Sequence, residues 1–264
     1  MVEDRLLERL ELLKQPPRVV LDVGAGPGRG AAALRQRYSG AQVIALDWAM
    51  PMLHAARAKR TWWRPFTRVC GDAMALPLAE RSVDVLFSSL CMQWCPEPRA
   101  LFAEWRRVLK PGGLLLFASF GPDTLQELRA AWAQVDSDPH VNVFLDMHDV
   151  GDALLASGFR DPVLETDRFN LQYADVPALL RELKAIGASN AHADRHAGLD
   201  VRARLKQMIA AYPTPPDGGI SASFEVVYGQ AFAPPDGAPI RSDAGEIASF
   251  SVQLLKRGKL RSGQ

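Results

Sequence analysis

The residues with the clearest chemical potential lie in the stretch Leu21-Asp22-Val23-Gly24-Ala25-Gly26-Pro27-Gly28-Arg29-Gly30. It follows the apolar run Val19-Val20-Leu21 and leads into the helix-like Ala31-Ala32-Ala33-Leu34. Glycine is needed where a backbone turns sharply and where a ligand must come closer than a β-carbon permits. A second apolar run ends at Asp47, and an acid at the tip of a second strand can bind both hydroxyls of a ribose. Asp22, Gly24, Ala25, Gly26, Gly28 and Asp47 therefore form a candidate site for a ribose-bearing cofactor. The spacing is not that of a dinucleotide fingerprint, which wants glycines at 24, 26 and 29, because position 29 is Arg.

These side chains meet only if ordered elements bring them together. Strand-like runs cover Arg18–Val23, Gln42–Asp47, Val69–Asp72, Val83–Ser88 and Leu114–Phe120. Helix-like segments separate them, and five alternations of this kind predict a doubly wound, mostly parallel sheet. In such a sheet the ligand lies beyond the carboxyl ends of the strands. There the first strand delivers the glycine turn, the second Asp47 and Trp48, the third Asp72 and Ala73, and the fourth Ser88 and Ser89.

The pattern changes after Phe120. Residues 123–135 and 148–157 read as helices, Pro162–Tyr173 as a strand and Phe224–Phe232 as the last of seven strands. Between those two strands, residues 175–211 hold two helical stretches linked by Gly187-Ala188-Ser189-Asn190. The block is too long for a turn and too poor in apolar residues for its own core. It is expected to be a helical lid, inserted before the last strand of a single domain spanning 1–264.

The composition excludes several classes. A net charge of +1 and 48% hydrophobic residues give no basis for wholesale nucleic-acid binding. No run reaches the ~18 apolar residues of a membrane span. The start, Met1-Val2-Glu3-Asp4-Arg5, lacks the pattern of a secretory signal, so a cytoplasmic protein is expected. Of the three cysteines, Cys91 and Cys95 form a Cys-x-x-x-Cys pair, but no His or fourth Cys stands at a zinc-like spacing. They read as small core residues, and no metal is expected.

The pattern Asp22-x-Gly24-x-Gly26-x-Gly28 resembles the first motif of class I S-adenosylmethionine (SAM) methyltransferases. The motif order continues with Asp84 on the fourth strand and Leu109-Lys110-Pro111-Gly112-Gly113 before the fifth, so the likeness covers residues 18–120. It implies a Rossmann-like fold and SAM as methyl donor. It also implies that Asp72 accepts a hydrogen bond from the adenine amino group.

Three further segments have no part in binding that cofactor. They are Ser89-Leu90-Cys91-Met92-Gln93-Trp94, Phe120-Gly121-Pro122-Asp123-Thr124-Leu125-Gln126-Glu127-Leu128-Arg129 and Lys184-Ala185-Ile186-Gly187-Ala188-Ser189-Asn190. Together they are similar to the malonyl-acyl carrier protein O-methyltransferases of biotin synthesis. The resemblance implies methylation of the free carboxylate of a malonyl thioester on a carrier protein. A carboxylate is ionised at neutral pH and needs no general base, so no catalytic side chain is assigned. A cation must hold it, and the candidates are Arg129 and Arg195, with Gln93 and Trp94 walling the acceptor pocket.

Carrier proteins are acidic, and Arg181, Lys184, Arg195, Arg202, Arg204 and Lys206 of the lid form a candidate docking rim. Family members carry a few tens of residues before the first helix, including aromatics that close over the cofactor, and here Met1 meets that helix almost at once. Other readings are a different SAM methyltransferase acting on small carboxylic acids, a protein like the complex I assembly factors, and a SAM-binding scaffold.

Overall fold

The computed structural model describes residues 2–13, 15–59, 65–185, 201–216, 218–237, 240–242 and 245–247. In chain order the elements are α1 (Val2–Glu8), β1 (Val19–Val23), α2 (Arg29–Arg37), β2 (Gln42–Asp47), α3 (Met50–Ala56) and β3 (Thr67–Cys70). Then come β4 (Val83–Ser89), α4 (Pro98–Val108), β5 (Leu109–Phe120), α5 (Gln126–Ala133), α6 (Met147–Ala156) and β6 (Arg160–Tyr173). The chain continues with α7 (Val176–Ala185), α8 (Val201–Ala211) and β7 (Ile220–Phe232), and a small hairpin, β8 (Ile240–Ser242) and β9 (Gly245–Ile247), follows.

The seven-stranded sheet has the order β3-β2-β1-β4-β5-β7-β6. Strand β1 pairs in parallel with both β2 and β4, and the pairs β2–β3 and β4–β5 are parallel too. Strand β7 runs antiparallel to β5, since Gly112 N donates to Ala233 O while Gly121 N donates to Glu225 O. Strand order therefore reverses between β1 and β4, the switch point at which such sheets bind ligands. Apart from Asp22 in β1 and Asp84 and the terminal serines in β4, both strands there are apolar because both of their faces are covered. Val20, Leu21, Val85, Leu86 and Phe87 are all fully buried.

Helix α4 shows how the sequence builds this layer. Leu101, Phe102, Trp105 and Val108 recur at helical spacing and all bury, and the Trp105 indole N–H donates to Ala73 O. At the opposite ends of the strands, Asp84 accepts from Arg18 N, Val19 N and Lys110 Nζ. Against partial burial, those donors hold its carboxyl below the usual range. The Lys110-Pro111-Gly112-Gly113 segment ends α4 as expected, but the chain enters β5 at once, with Gly112 in the left-handed region (φ +73).

The chain divides into two compact units. One comprises Met1–Ser119, Met147–Glu165 and Tyr228–Gln264, the other Phe120–Asp146 and Thr166–Val227. The second unit has a core of its own, where Leu125 just before α5, Leu128 of α5, Val176 and Leu179 of α7, Met208 of α8 and Ile220 of β7 are buried together. The helical block expected to lack hydrophobic mass does not form this core alone. The missing mass comes from α5 and the early part of β7, which lie outside residues 175–211. The link Gly187–Asn190 lies outside the described residues.

Candidate functional site

The glycine turn is held by its backbone. Gly24, Gly26 and Gly28 have φ of +70, +52 and +77, the left-handed region in which a β-carbon is costly. Gly24 N and Ala25 N both donate to Leu46 O, at 2.8 and 3.0 Å, which ties the turn to β2. A Cβ on Gly24 would stand 2.5 Å from Cys91 Cβ, and one on Gly28 2.8 Å from Ala56 Cβ. Gly26 differs, because a Cβ there meets nothing within 4 Å. Packing inside the protein adds to the backbone's demand for glycine at 24 and 28, whereas at 26 the left-handed backbone acts alone and the space where a side chain would stand is open.

Asp47 lies at the end of β2, next to this turn. Its Oδ2 accepts from Gly26 N at 2.8 Å and its Oδ1 from Ala49 N at 2.7 Å. Each oxygen keeps a further lone pair, so the carboxylate is fixed in orientation yet can still accept two hydroxyls. Trp48 follows it with its side chain 73% exposed. Asp72 accepts from Met74 N through Oδ1 at 2.8 Å, an Asx-type turn that leaves Oδ2 available beside Ala73.

Asp22 lies beneath the turn, 2% exposed, and its Oδ2 has no hydrogen-bond partner. Burial first, and then the charges of Glu3 and Asp47, hold its carboxyl well above the usual range against the Ala31 N–H. Glu3 enters from α1: a Cβ on Gly30 would lie 2.6 Å from Glu3 Oε1 and 2.9 Å from Asp22 Oδ2. Arg29, which stands where a dinucleotide motif has glycine, is engaged with the same helix, at 3.1 Å from Glu3 and 2.6 Å from Asp4.

After β4 the chain passes through Ser89 and Leu90, the latter at φ +55, into a single 3-10 turn, Met92–Trp94. Ser88 Oγ donates to Val23 O and joins β4 to β1 at the switch point. Gln93 donates to Leu90 O while its Oε1 is buried without a partner, and Trp94 is 44% exposed. All the expected cofactor residues lie at the carboxyl ends of β1 to β4 or in the loops that follow them, as do Gln93 and Trp94.

The acceptor cations fare differently. Arg129, in the second unit, donates to the carbonyls of Pro122 and Thr124 at 3.0 and 3.1 Å, and its Nε is buried without a partner. In this arrangement it braces the turn between β5 and α5. Arg195 lies outside the described residues. A cavity of about 240 Å³ in the same unit is lined by Asp123, Arg168 and Glu225 among others. Its two acids outnumber its one cation, so it does not suit a carboxylate.

Arg204 is also committed within the second unit. Its Nη1 lies 3.2 Å from Asp136 and 3.3 Å from Asp138, and Asp136 is bonded to His140 at 2.7 Å. The three potential ligands Asp136, Asp138 and His140 cluster closely, but the guanidinium supplies the positive charge that a metal ion would. Of the other cations expected in the rim, Arg181, Lys184, Arg202 and Lys206 are exposed and Arg195 lies outside the described residues.

Sequence reasoning missed three participants. Cys91 packs its side chain onto Gly24, and Glu3 faces Asp22; neither contact leaves a local signal. Glu225 accepts from Asp123 N at 2.9 Å, and its backbone exchanges hydrogen bonds with Thr124. A lone acid in the otherwise apolar Phe224–Phe232 was the available clue.

The geometry agrees with what this chain is similar to. A family model described as a methyltransferase domain matches residues 21–117. A malonyl-(acyl-carrier protein) O-methyltransferase from Xylella fastidiosa (strain M23) is 49% identical over 257 residues, covering 96% of this chain and 87% of that protein. One of the same name from Methylovorus sp. (strain MP688) is 48% identical over 240 residues, 88% of this chain and 81% of the relative. Among solved structures, a methyltransferase-like protein from Bacillus halodurans C-125 superposes with a TM-score of 0.63 at 20% identity, over 88% of this chain and 98% of that one. The YcgJ protein from Bacillus subtilis does so at 0.62 and 18%, with the same coverage. These two likenesses bear on the fold, which is that of class I methyltransferases. The chain belongs to the malonyl-(acyl-carrier protein) O-methyltransferase family.

Proposed function

We propose that this chain transfers the methyl group of SAM to the free carboxylate of malonyl-acyl carrier protein, giving the methyl ester that starts biotin synthesis. The observation that carries the reading is the near-complete coverage by relatives of that name, joined to a glycine turn whose Gly26 faces open space.

Bound SAM supplies a methyl group on a sulfonium. When SAM is bound, Asp47 would take the ribose hydroxyls and Asp72 the adenine amino group, with the exposed Trp48 available to the purine. Gly26 lets the amino-acid tail approach the backbone. Asp22 and Glu3, beneath the turn, are carboxyls whose ionised form burial disfavours, and a cationic tail and sulfonium bound above them would favour that ionised form. A carboxylate oxygen of the acceptor attacks the methyl carbon as the sulfur–carbon bond breaks, so the protein aligns the two and excludes water. It need not move a proton, and the chemistry calls for no metal.

Arg195 or Arg129 holds the malonyl carboxylate, since a guanidinium binds an anion in a defined plane. The exposed Arg181, Lys184, Arg202 and Lys206 steer the acidic carrier protein. The described residues contain no helix long and apolar enough to cross a membrane, and we place the protein in the cytoplasm with its carrier.

Paired variants test the division of labour. Asp47→Ala should weaken SAM by about 1.5–3 kcal/mol in calorimetry, the scale of hydrogen bonds to a charged group. Arg129→Ala and Arg195→Ala should leave SAM affinity in place, and one of them should slow transfer to malonyl-carrier protein. Unchanged affinity in the first, or wild-type turnover in both of the others, contradicts the assignment.

A further inference from the structure

Cys91 and Cys95 are used by none of this chemistry, yet Cys91 packs directly on the glycine turn. They flank the 3-10 turn Met92–Trp94, closed by Trp94 N to Cys91 O at 3.0 Å and Cys95 N to Met92 O at 2.9 Å. That turn folds the second thiol back on the first. Cys95 Sγ lies 4.0 Å from Cys91 O, and each thiol perturbs the other. Both are free and half-buried.

Cys91 is wedged against Gly24: a Cβ there would lie 2.7 Å from the Cys91 sulfur. The negative charge of Asp47 raises the Cys91 thiol and that of Asp72 the Cys95 thiol, so the pair feels both acids assigned to the cofactor.

We propose that Cys91 and Cys95 form a peroxide-sensitive dithiol that closes into a reversible disulfide and disables the glycine-turn site. The roles of the two sulfurs are unequal. The neighbouring Cys91 thiol holds that of Cys95 low, against burial and Asp72, while the Cys95 thiol and burial hold Cys91 high. Cys95 is therefore the attacking thiolate. Its sulfur attacks one peroxide oxygen, the oxygen–oxygen bond breaks, and a sulfenic acid and water result. The Cys91 sulfur then attacks that of Cys95, the sulfur–oxygen bond breaks, and a second water leaves with the Cys91 proton. Two thiols are oxidised and one peroxide is reduced; a dithiol reductant reverses the step.

The consequence follows from contact distances. A disulfide draws two sulfurs to about 2 Å of each other. Cys91 has no slack on its Gly24 side, and Leu90 before it is already in the left-handed region. The displacement must move the turn, or Gln93 and Trp94.

The test uses the full chain treated with hydrogen peroxide, then quenched. Wild type and Cys70→Ser should lose two hydrogens in intact mass. Cleavage after Trp94 should leave two peptides joined until a reductant is added. Cys91→Ser and Cys95→Ser should not lose the pair of hydrogens; two variants are used so that a folding defect in one does not decide the result. The oxidised chain should bind SAM roughly tenfold more weakly, with recovery on reduction. A chain that keeps both hydrogens, or links Cys70 instead, overturns the disulfide. A clean Cys91–Cys95 bond with unchanged SAM affinity overturns the disabling effect. That second outcome rests on the proposed cofactor placement, but the mass does not: a reduced chain that fails to bind SAM counts against the placement alone.

Discussion

Replacing Gly24 and Gly26 separately with alanine distinguishes a glycine that the fold needs from one that the cofactor needs. Both have left-handed backbone, φ +70 and +52, so each alanine costs about 1–2 kcal/mol of conformational strain. At Gly24 the new Cβ also stands 2.5 Å from Cys91 Cβ, and overpacking of that kind adds about 1–3 kcal/mol. At Gly26 it meets nothing within 4 Å. Urea denaturation without ligand should therefore show Gly24→Ala losing more stability than Gly26→Ala, by about the overpacking cost alone. Calorimetric titration of Gly26→Ala with SAM should show affinity reduced at least tenfold, about 1.4 kcal/mol or more, because the methyl occupies the approach to the backbone. A Gly26→Ala protein that stays folded and binds SAM like wild type would refute the placement of the cofactor on this turn.

Further expectations concern charge. Because Asp22 has a folded-state pKa raised above the ordinary 3.8, the folded form binds its proton more tightly than the unfolded one. Its favourable contribution is complete below that value and is lost as pH rises through the folded pKa. The ligand-free stability advantage of Asp22→Asn over wild type should thus grow from about pH 4 upward, while its SAM affinity falls; a pH-independent difference in urea midpoints would count against the buried charge. Arg202→Glu with Lys206→Glu should raise the apparent KM for malonyl-carrier protein, most at low salt, and spare malonyl-coenzyme A; equal effects on both substrates would remove docking from the account. Glu225→Ala leaves Asp123 N without its 2.9 Å acceptor and should cost about 1–3 kcal/mol in denaturant unfolding, with Glu225→Gln losing less; no loss in either would mean that the turn does not depend on this bond.

Where the backbone poses a demand that few residue types can meet, the sequence was a good guide. The left-handed turn needs glycines, the tip of β2 presents Asp47, and the apolar runs of β1 and β4 belong to strands covered on both faces. The parallel sheet and its ligand edge followed from these. The rest depended on partners distant in sequence. Cys91 looked like a small core residue because its contact with Gly24 exists only once β4 lies beside β1. Arg204 looked like one of six rim cations because Asp136 and Asp138 sit in a loop far from α8. Arg129 was read as a free fork, whereas the carbonyls of its own turn take two of its nitrogens. Counting apolar residues within 175–211 undervalued the second unit, whose core borrows from α5 and β7.

The most direct test of the central claim is the mass of the carrier protein after incubation with this chain and SAM. Malonyl-carrier protein should gain one methylene per equivalent of S-adenosylhomocysteine released, while acetyl-carrier protein, which has no free carboxylate, gains nothing. An unmodified malonyl group under conditions where SAM is bound, or equal methylation of the acetyl form, would contradict carboxyl methyl transfer.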